Sequence, residues 1–249
     1  MGHLFRERLR AGKLLVGTMV TLGYPEVGEI MAGAGFDWLF LDGEHIPMTP
    51  AAMQGVMQGA GQEMPCLVRL PLGDEVSIKK ALDIGAAGVI VPMVNTAEQA
   101  AQVVRWAKYA PQGTRGVGLG RAAGYGQMFQ GYLDRANQET AVVVQVEHSQ
   151  AVDNIADIIQ VPGVDGVLIG PYDLSASMGL IGQVAHPDVQ DAIGRVTQAC
   201  LEAQVPLGIF GVTARAVRPY IERGYTLIVA GVDTLLLGAG AREIVEQLR

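Results

Sequence analysis

Eight short apolar runs, each separated from the next by a helical pattern, constrain this chain more than any other feature. They read KLLVGTMV (13–20), DWLFLD (37–42), CLVRLP (66–71), GVIVPM (88–93), AVVVQVE (141–147), GVLIG (166–170), PLGIFG (206–211) and TLIVAG (226–231). Between them lie amphipathic stretches such as TAEQAAQVVRWAKYA (96–110) and HPDVQDAIGRVTQACLEAQ (186–204), the second with Pro187 and Asp188 at a good helix opening. Strand then helix, eight times over, closes most naturally into a single (β/α)8 TIM barrel of the α/β class, and 249 residues is the usual size of one. An open doubly wound sheet uses the same alternation. The count of eight and the lack of a glycine fingerprint behind the first strand favour closure. No linker or low-complexity stretch interrupts residues 1–249, so one domain is expected.

Composition narrows the partners. The chain carries 25 acidic and 18 basic residues, a net charge of -7, which repels phosphate backbones and argues against nucleic acid. Small molecules or other subunits fit better. Only Cys66 and Cys200 occur, too few for a disulfide scaffold and compatible with core packing in a reducing cytoplasm. The opening MGHLFRERLRAG lacks the unbroken apolar stretch of a secretion signal. No run approaches the roughly 18 apolar residues of a membrane span. A cytoplasmic protein is the expectation.

In a parallel barrel the functional groups gather at the carboxyl ends of the strands. Glu147 closes the fifth apolar run and Asp173 stands just past the sixth, so on neighbouring strands they converge. Two converging carboxylates repel unless a cation lies between them or one keeps its proton. A hard divalent ion, Mg2+ or Mn2+, resolves the conflict with oxygen ligands. The structural alternative is that Glu147 pairs with a base and Asp173 caps a helix beginning near Leu174. Gln145, two residues before Glu147, shares its face and is placed either to donate to a bound oxygen or to sit satisfied in the core.

The second run ends in Asp42, Gly43, Glu44 and His45, a tight turn that offers an imidazole for proton transfer near neutral pH. His148, beside Glu147, is its rival. Arg69 lies within an apolar strand, where a guanidinium needs an anion: an oxyanion that develops during reaction, or an acid on a neighbouring strand. The interval 111–140 is irregular, and we place it as a long loop at the end of the fourth strand. There Arg115 and Arg121 line a glycine-rich segment over the site or simply make a turn. Gly118-x-Gly120-x-x-Ala123 matches a dinucleotide fingerprint formally, but KYAPQGTR precedes it instead of an apolar strand, so the match is chance. None of the lysines at 13, 79, 80 and 108 stands at a strand's carboxyl end, which argues against Schiff-base chemistry.

LDGEH (41–45), VRLP (68–71), ALDIGAAGVIVPMV (81–94), GTRGVG (113–118), VQVE (144–147) and VDGVLIGPYDLSASMG (164–179) together resemble the HpcH/HpaI family of class II pyruvate aldolases, from about residue 10 to the C-terminus. The resemblance implies metal-dependent, reversible cleavage of 4-hydroxy-2-oxo acids to pyruvate and an aldehyde. It implies Glu147 and Asp173 as ligands of Mg2+ or Mn2+, with Co2+ possible. His45 would be the proton acceptor beside Asp42, and Arg69 would stabilise the enolate. Gln145 and the segment Gly170, Pro171, Tyr172, Asp173 and Leu174 would contact the oxo acid. Asp83 matches a position that raises the basicity of the histidine; at the far end of a helix, it would reach His45 only from a neighbouring subunit. A homohexamer, a trimer of dimers with exchanged C-terminal helices (here 233–248), is also implied. Tyr172 and the loop GLGRAAGYG depart from the common pattern and leave the aldehyde open. The rivals are a citrate-lyase β or malyl-CoA type of lyase, which needs a CoA-binding surface, and a metal-free binding or scaffold barrel.

Overall fold

The computed structural model describes residues 2–249, with side chains from Phe5 onward. In chain order the elements begin with α1 (Gly2–Arg10), β1 (Leu15–Val20), α2 (Pro25–Gly33), β2 (Trp38–Asp42), α3 (Pro50–Ala60), β3 (Cys66–Arg69) and α4 (Glu75–Asp83). Then come β4 (Gly88–Val91), α5 (Ala97–Ala107), a 3-10 turn (Arg121–Gly126), α6 (Phe129–Glu139) and β5 (Ala141–Val146). After the short helices α7 (Ser149–Asp153) and α8 (Ile155–Ile158) follow β6 (Gly166–Ile169), α9 (Pro171–Ser177) and α10 (Pro187–Glu202). The chain ends with β7 (Leu207–Gly211), α11 (Ala214–Glu222), β8 (Leu227–Val232) and α12 (Asp233–Gln247). All eight expected strands form. Each pairs in parallel with the next, and β8 returns to β1, closing a (β/α)8 barrel.

Side-chain alternation divides the apolar residues into two cores. One, including Leu39, Leu41, Val68, Val144 and Ile169, lies between the strands and the helices. The other fills the barrel with Leu15, Trp38, Phe40, Leu67, Ile90, Val143, Leu168 and Val229. Phe5 and Leu9 of α1 belong to this inner core, and Phe5 stacks at 5.8 Å on Trp38 near the start of β2, so α1 stoppers the amino rim. Arg6 Nε fixes that stopper by donating to buried Asp165 at 2.8 Å. Continuing each inner row toward the other rim, the apolar residues give way to Asp42 after Phe40, Arg69 after Leu67, and Gln145 after Val143. The barrel is thus dry below and polar at its mouth.

The interval 111–140 corrects the sequence expectation. Helix α5 carries the chain from the end of β4 back to the amino rim before the glycine-rich loop begins. That loop therefore lies on the rim opposite the mouth and does not cover it. Arg115 is buried there, its Nη2 2.6 Å from Asp83 Oδ1 and its guanidinium 4.5 Å above the Tyr109 ring. Arg121 Nη1 donates to the Ile84 carbonyl. Glycine is required where the loop meets α4: a Cβ at Gly120 would approach Asp83 O at 2.5 Å. The same rim holds Lys108, whose Nζ donates to Asn137 O and Thr140 O; burial and nearby Arg6 hold its pKa down at about 8. It is remote from the mouth, as the sequence required.

Helix α12 starts at buried Asp233, whose carboxylate accepts from Thr21 N, Leu22 N and Thr21 Oγ1 across the β1–β8 seam. Beyond it, Leu235, Leu236, Leu237, Ile244, Val245 and Leu248 are exposed. Cys66 and Cys200 are free and buried, with thiols pushed up to about 12 by burial, as core packing expects. No described helix is long and apolar enough to cross a membrane.

Helices α2 and α3 meet at two glycines. A Cβ at Gly59 would lie 1.9 Å from Pro25 O, and one at Gly28 would lie 2.2 Å from Val56 O. Gly59→Ala is therefore expected to cost on the order of 3 kcal/mol in denaturant unfolding, from overpacking against backbone. Gly33→Ala, with nothing within 4 Å of the new methyl, is the control and should be neutral or stabilising by up to about 1 kcal/mol.

Candidate active site at the carboxyl rim

Strand register builds the mouth. Asp42 on β2 and Arg69 on β3 are direct cross-strand partners, and Arg69 Nε donates to Asp42 Oδ1 at 2.9 Å. The same Asp42 oxygen accepts the Glu44 backbone N–H at 3.0 Å. Arg69 Nη1 lies 3.3 Å from Glu44 Oε2, and the guanidinium sits 5.3 Å above the Phe40 ring. The buried arginine thus meets the neighbouring acid that the sequence left as one alternative. Its Nη2 makes no hydrogen bond among the described residues, so the fork keeps a donor for a ligand. Gly43 lets the turn lie this close: its N–H donates to Arg69 O at 2.9 Å, and a Cβ would meet that carbonyl at 2.6 Å.

On the facing wall, β5 and β6 are adjacent and parallel, with Val146 opposite Ile169. Glu147, one residue further, is buried at 3% exposure. Its Oε1 accepts the Met93 backbone N–H at 2.8 Å, and its Oε2 accepts from Gln145 Nε2. Neither partner is a base, so the pairing alternative for Glu147 is not realised. Burial pushes the Glu147 carboxyl up; the Gln145 and Met93 hydrogen bonds pull it back, and the negative charges of Glu44 and Asp173 raise it further. Burial likewise raises the Glu44 carboxyl, opposed by Arg69 and His45 and reinforced by Asp42 and Asp173. Glu44 and Glu147 thus both feel the charge of Asp173 at the carboxyl rim.

Asp173 lies in the first turn of α9, exposed, with no side-chain partner among the described residues. The N-cap is Gly170 and no side chain caps the helix, so the capping alternative for Asp173 also fails. Gly170 makes room for the acids: a Cβ there would stand 3.1 Å from both Glu147 Cβ and Oε2 and 3.2 Å from Gln145 Nε2.

Three expectations change in detail. Gln145 spends an amide donor on Glu147, leaving its buried Oε1 without a partner. Leu174 is wholly buried in the interlayer core and its N–H bonds Gly170 O at 3.0 Å, so neither its side chain nor its amide is offered to a ligand. Pro171 is buried and has no N–H, whereas Tyr172 is 51% exposed beside Asp173. His45 stands at the rim with its side chain 59% exposed and Nε2 3.6 Å from Glu44 Oε2. His148 caps α7, Nδ1 accepting from Gln150 N, which removes it as the rival base. Asp83 ends α4 on the opposite rim, tied to Arg115, and does not join His45 within the chain.

Two further residues gain from the fold a part that the sequence does not give them. Met93 adopts a left-handed backbone, φ 55°, which is uncommon without glycine and aims its N–H at Glu147; nothing in VPMV announces it. Glu44 was visible in the turn, but only the fold joins it to Arg69 and His45.

The donor set fits a hard divalent cation. Glu147 and Asp173 supply carboxylate oxygens with no cation of the protein bonded to either among the described residues, and Gln145 Oε1 is buried and orphaned beside them. Among the described residues no three His, Cys, Asp or Glu side chains stand together as a metal cage, so a cation at this site would need further oxygens from outside the protein. A separate cleft of about 710 Å3 on the opposite rim, lined by residues including Cys66, Arg121 and Tyr132, contains none of these acids.

Residues 17–239 match the family described as HpcH/HpaI aldolase/citrate lyase. A 4-hydroxy-2-oxovalerate aldolase of Rhodococcus jostii is 41% identical over 94% of this chain and 91% of its own length. A hydroxypyruvate/pyruvate aldolase of Deinococcus radiodurans is also 41% identical, over 98% and 89%. Among solved structures, an HpcH/HpaI aldolase/citrate lyase family protein from Burkholderia cenocepacia superimposes with a TM-score of 0.95 at 36% identity, covering 99% of both chains.

The raised Glu147 carboxyl has a thermodynamic consequence. An acid whose folded pKa exceeds its unfolded one binds more protons when folded, so its contribution to stability falls as pH rises from about 4.5 through the folded value. Glu147→Gln removes that penalty, and Gln145 can turn its amide to accept from the new one. The metal-free variant is expected to melt a few degrees above the parent at pH 8, with the gap closing toward pH 4, by calorimetry.

Proposed function

This chain belongs to the HpcH/HpaI aldolase/citrate lyase family, and we propose that it is a class II aldolase, a carbon-carbon lyase that reversibly cleaves 4-hydroxy-2-oxo acids to pyruvate, or a related 2-oxo acid, and an aldehyde. The observation that carries this reading is the buried Glu147 carboxylate, hydrogen-bonded only to neutral donors and facing the electrostatic influence of a second rim acid, Asp173.

A divalent ion, Mg2+ or Mn2+ with Co2+ as a further choice, held by Glu147 and Asp173, would supply electrophilic pull on the keto and carboxylate oxygens of the oxo acid. The protein's own groups do the rest. Gln145 and Met93 hold the two Glu147 oxygens in place. His45 takes the proton from the C4 hydroxyl; the C4–O–H electrons become the aldehyde carbonyl, and the C3–C4 pair moves onto C2–C3 as an enolate. Arg69, held by Asp42 at Nε, turns its remaining donors to the negative charge that builds on the C2 oxygen. The proton that His45 took is given up again, through solvent, to C3, which yields the 2-oxo acid and resets the base. Tyr172, exposed beside Asp173, and the Gly170–Asp173 backbone border the bound acid, and Tyr172 is placed to shape the aldehyde pocket.

Asp83 enters this scheme only from a second subunit, since its own chain engages it with Arg115 on the far rim. The exposed leucines of α12 support exchange of that helix between copies, in a homohexamer built as a trimer of dimers. Two free cysteines and a net charge of -7 support a cytoplasmic enzyme working on small molecules, away from nucleic acid. The 41% identity to two aldolases favours this activity over a CoA-dependent lyase or an inert scaffold.

The test incubates the protein with pyruvate, a panel of aldehydes and Mg2+ or Mn2+, with and without EDTA. Metal-dependent condensation is expected, abolished by the chelator. Glu147→Gln and Asp173→Asn should each lower kcat/KM by about 100-fold or more with the fold intact by circular dichroism. Retained activity in either variant removes that residue from the ligand pair, and condensation only with acyl-CoA donors overturns the aldolase assignment.

A further inference from the structure

The aldolase reading asks for a group that orients His45 and stabilises its charged form, and within the chain Asp83 cannot serve, because it pairs with Arg115 on the opposite rim. Glu44 stands where such a group is needed. Its Oε2 is 3.6 Å from His45 Nε2 and 3.3 Å from Arg69 Nη1, and that oxygen is buried without a hydrogen-bond partner. Glu44 is itself fixed from behind, its backbone N–H on the Asp42 oxygen that also receives Arg69 Nε. The four side chains therefore form one polar chain, Asp42, Arg69, Glu44, His45, running from inside the barrel to its rim. Exposure rises along it, from 2% at Asp42 and 9% at Arg69 to 19% at Glu44 and 59% at His45.

We propose that Glu44 is a positioning residue for this aldolase, its orphaned Oε2 accepting the Nε2–H of His45 when the imidazole takes the C4 hydroxyl proton, and so linking the base to the Arg69 oxyanion site. This deepens the aldolase reading and rests on it. The charged groups facing Glu44 are Asp42 on β2, Arg69 on β3, His45 beside it, and the acid Asp173 on α9, while Glu147 beyond β5 feels its charge. Closing the 3.6 Å gap takes only a turn of the solvent-facing imidazole. An anion beside an imidazole favours the imidazolium. Removing Glu44's charge therefore takes an anion from beside the protonated imidazole.

The experiment follows the His45 C2 proton by NMR through a pH series with Mg2+ present, assigning the signal by its loss in His45→Asn, and runs kcat and KM against pH on the same samples. Glu44→Gln is expected to shift the His45 midpoint and the acid limb of kcat/KM to lower pH together, to lower kcat about tenfold with little change in KM, and to leave Mn2+ affinity by paramagnetic titration within twofold of the parent. Glu44→Asp should restore part of the shift. Glu44→Ala serves in its place should the glutamine variant not fold. An unmoved His45 midpoint in Glu44→Gln overturns the proposal, and so does a shift that appears in Asp83→Asn instead, which would assign the role to a neighbouring subunit. A loss confined to Mn2+ affinity also overturns it. Failure of the aldolase reading shows differently, as a parent enzyme without metal-dependent turnover, while the NMR midpoint still reports the Glu44 contact.

Discussion

Everything at the mouth follows from keeping a carboxylate out of water without giving it a counter-charge. Glu147 receives two neutral hydrogen bonds, from Gln145 and from the backbone of Met93, which ease its desolvation but leave its charge uncompensated. The guanidinium that a purely structural protein would turn toward it is already held on the facing wall by Asp42 and Glu44. The barrel thus keeps Glu147 and Asp173 apart from its arginine: uncompensated negative charge on the β5–β6 side, and a guanidinium clamped by two other acids on the β2–β3 side. Only with a divalent cation on the acidic side would an anionic oxo acid spanning that gap meet attraction from both walls.

Small residues make this separation sterically feasible. Gly170 leaves the space that Glu147 and Gln145 occupy, and Gly43 allows the acidic turn to press against the Arg69 carbonyl. Met93 contributes in the opposite sense, accepting a left-handed backbone without glycine's freedom so that its N–H points inward. Strain of this kind costs about 1–3 kcal/mol and persists only where surrounding structure enforces it. Here the short strand β4 and the Glu147 acceptor do so.

The barrel, its eight strands and the standing of Glu147 and Asp173 just past neighbouring strands were legible because period and position encode them: apolar runs of similar length, each followed by a helix, with acids placed where the runs stop. Asp42 and Arg69 were legible as residues out of place in apolar strands, but their partnership needed the register that sets them side by side. The glycine-rich interval lies on the far rim, and not at the end of the fourth strand as its place in the sequence suggests, because helix α5, recognisable as TAEQAAQVVRWAKYA, first returns the chain there. Leu174 was misassigned because a motif groups neighbours that a helix then turns to opposite sides, Asp173 outward and Leu174 into the core. Met93 and the link from Glu44 to His45 depend on backbone angles and side-chain directions for which a single sequence has no signal.

The stopper formed by Phe5 and Leu9 beneath the inner core makes the barrel a vessel with one opening. Traffic in and out must then queue. On the proposed site, the end of a reactant lodged against Glu147 and Arg69 would enter first and depart last, while the portion nearest the 59% exposed His45 side chain would face solvent. Under the proposed function, this one-sided access would make the aldehyde fragment leave ahead of the oxo acid behind it, and a second aldehyde arriving before that departure would meet a nucleophile still loaded for the return reaction.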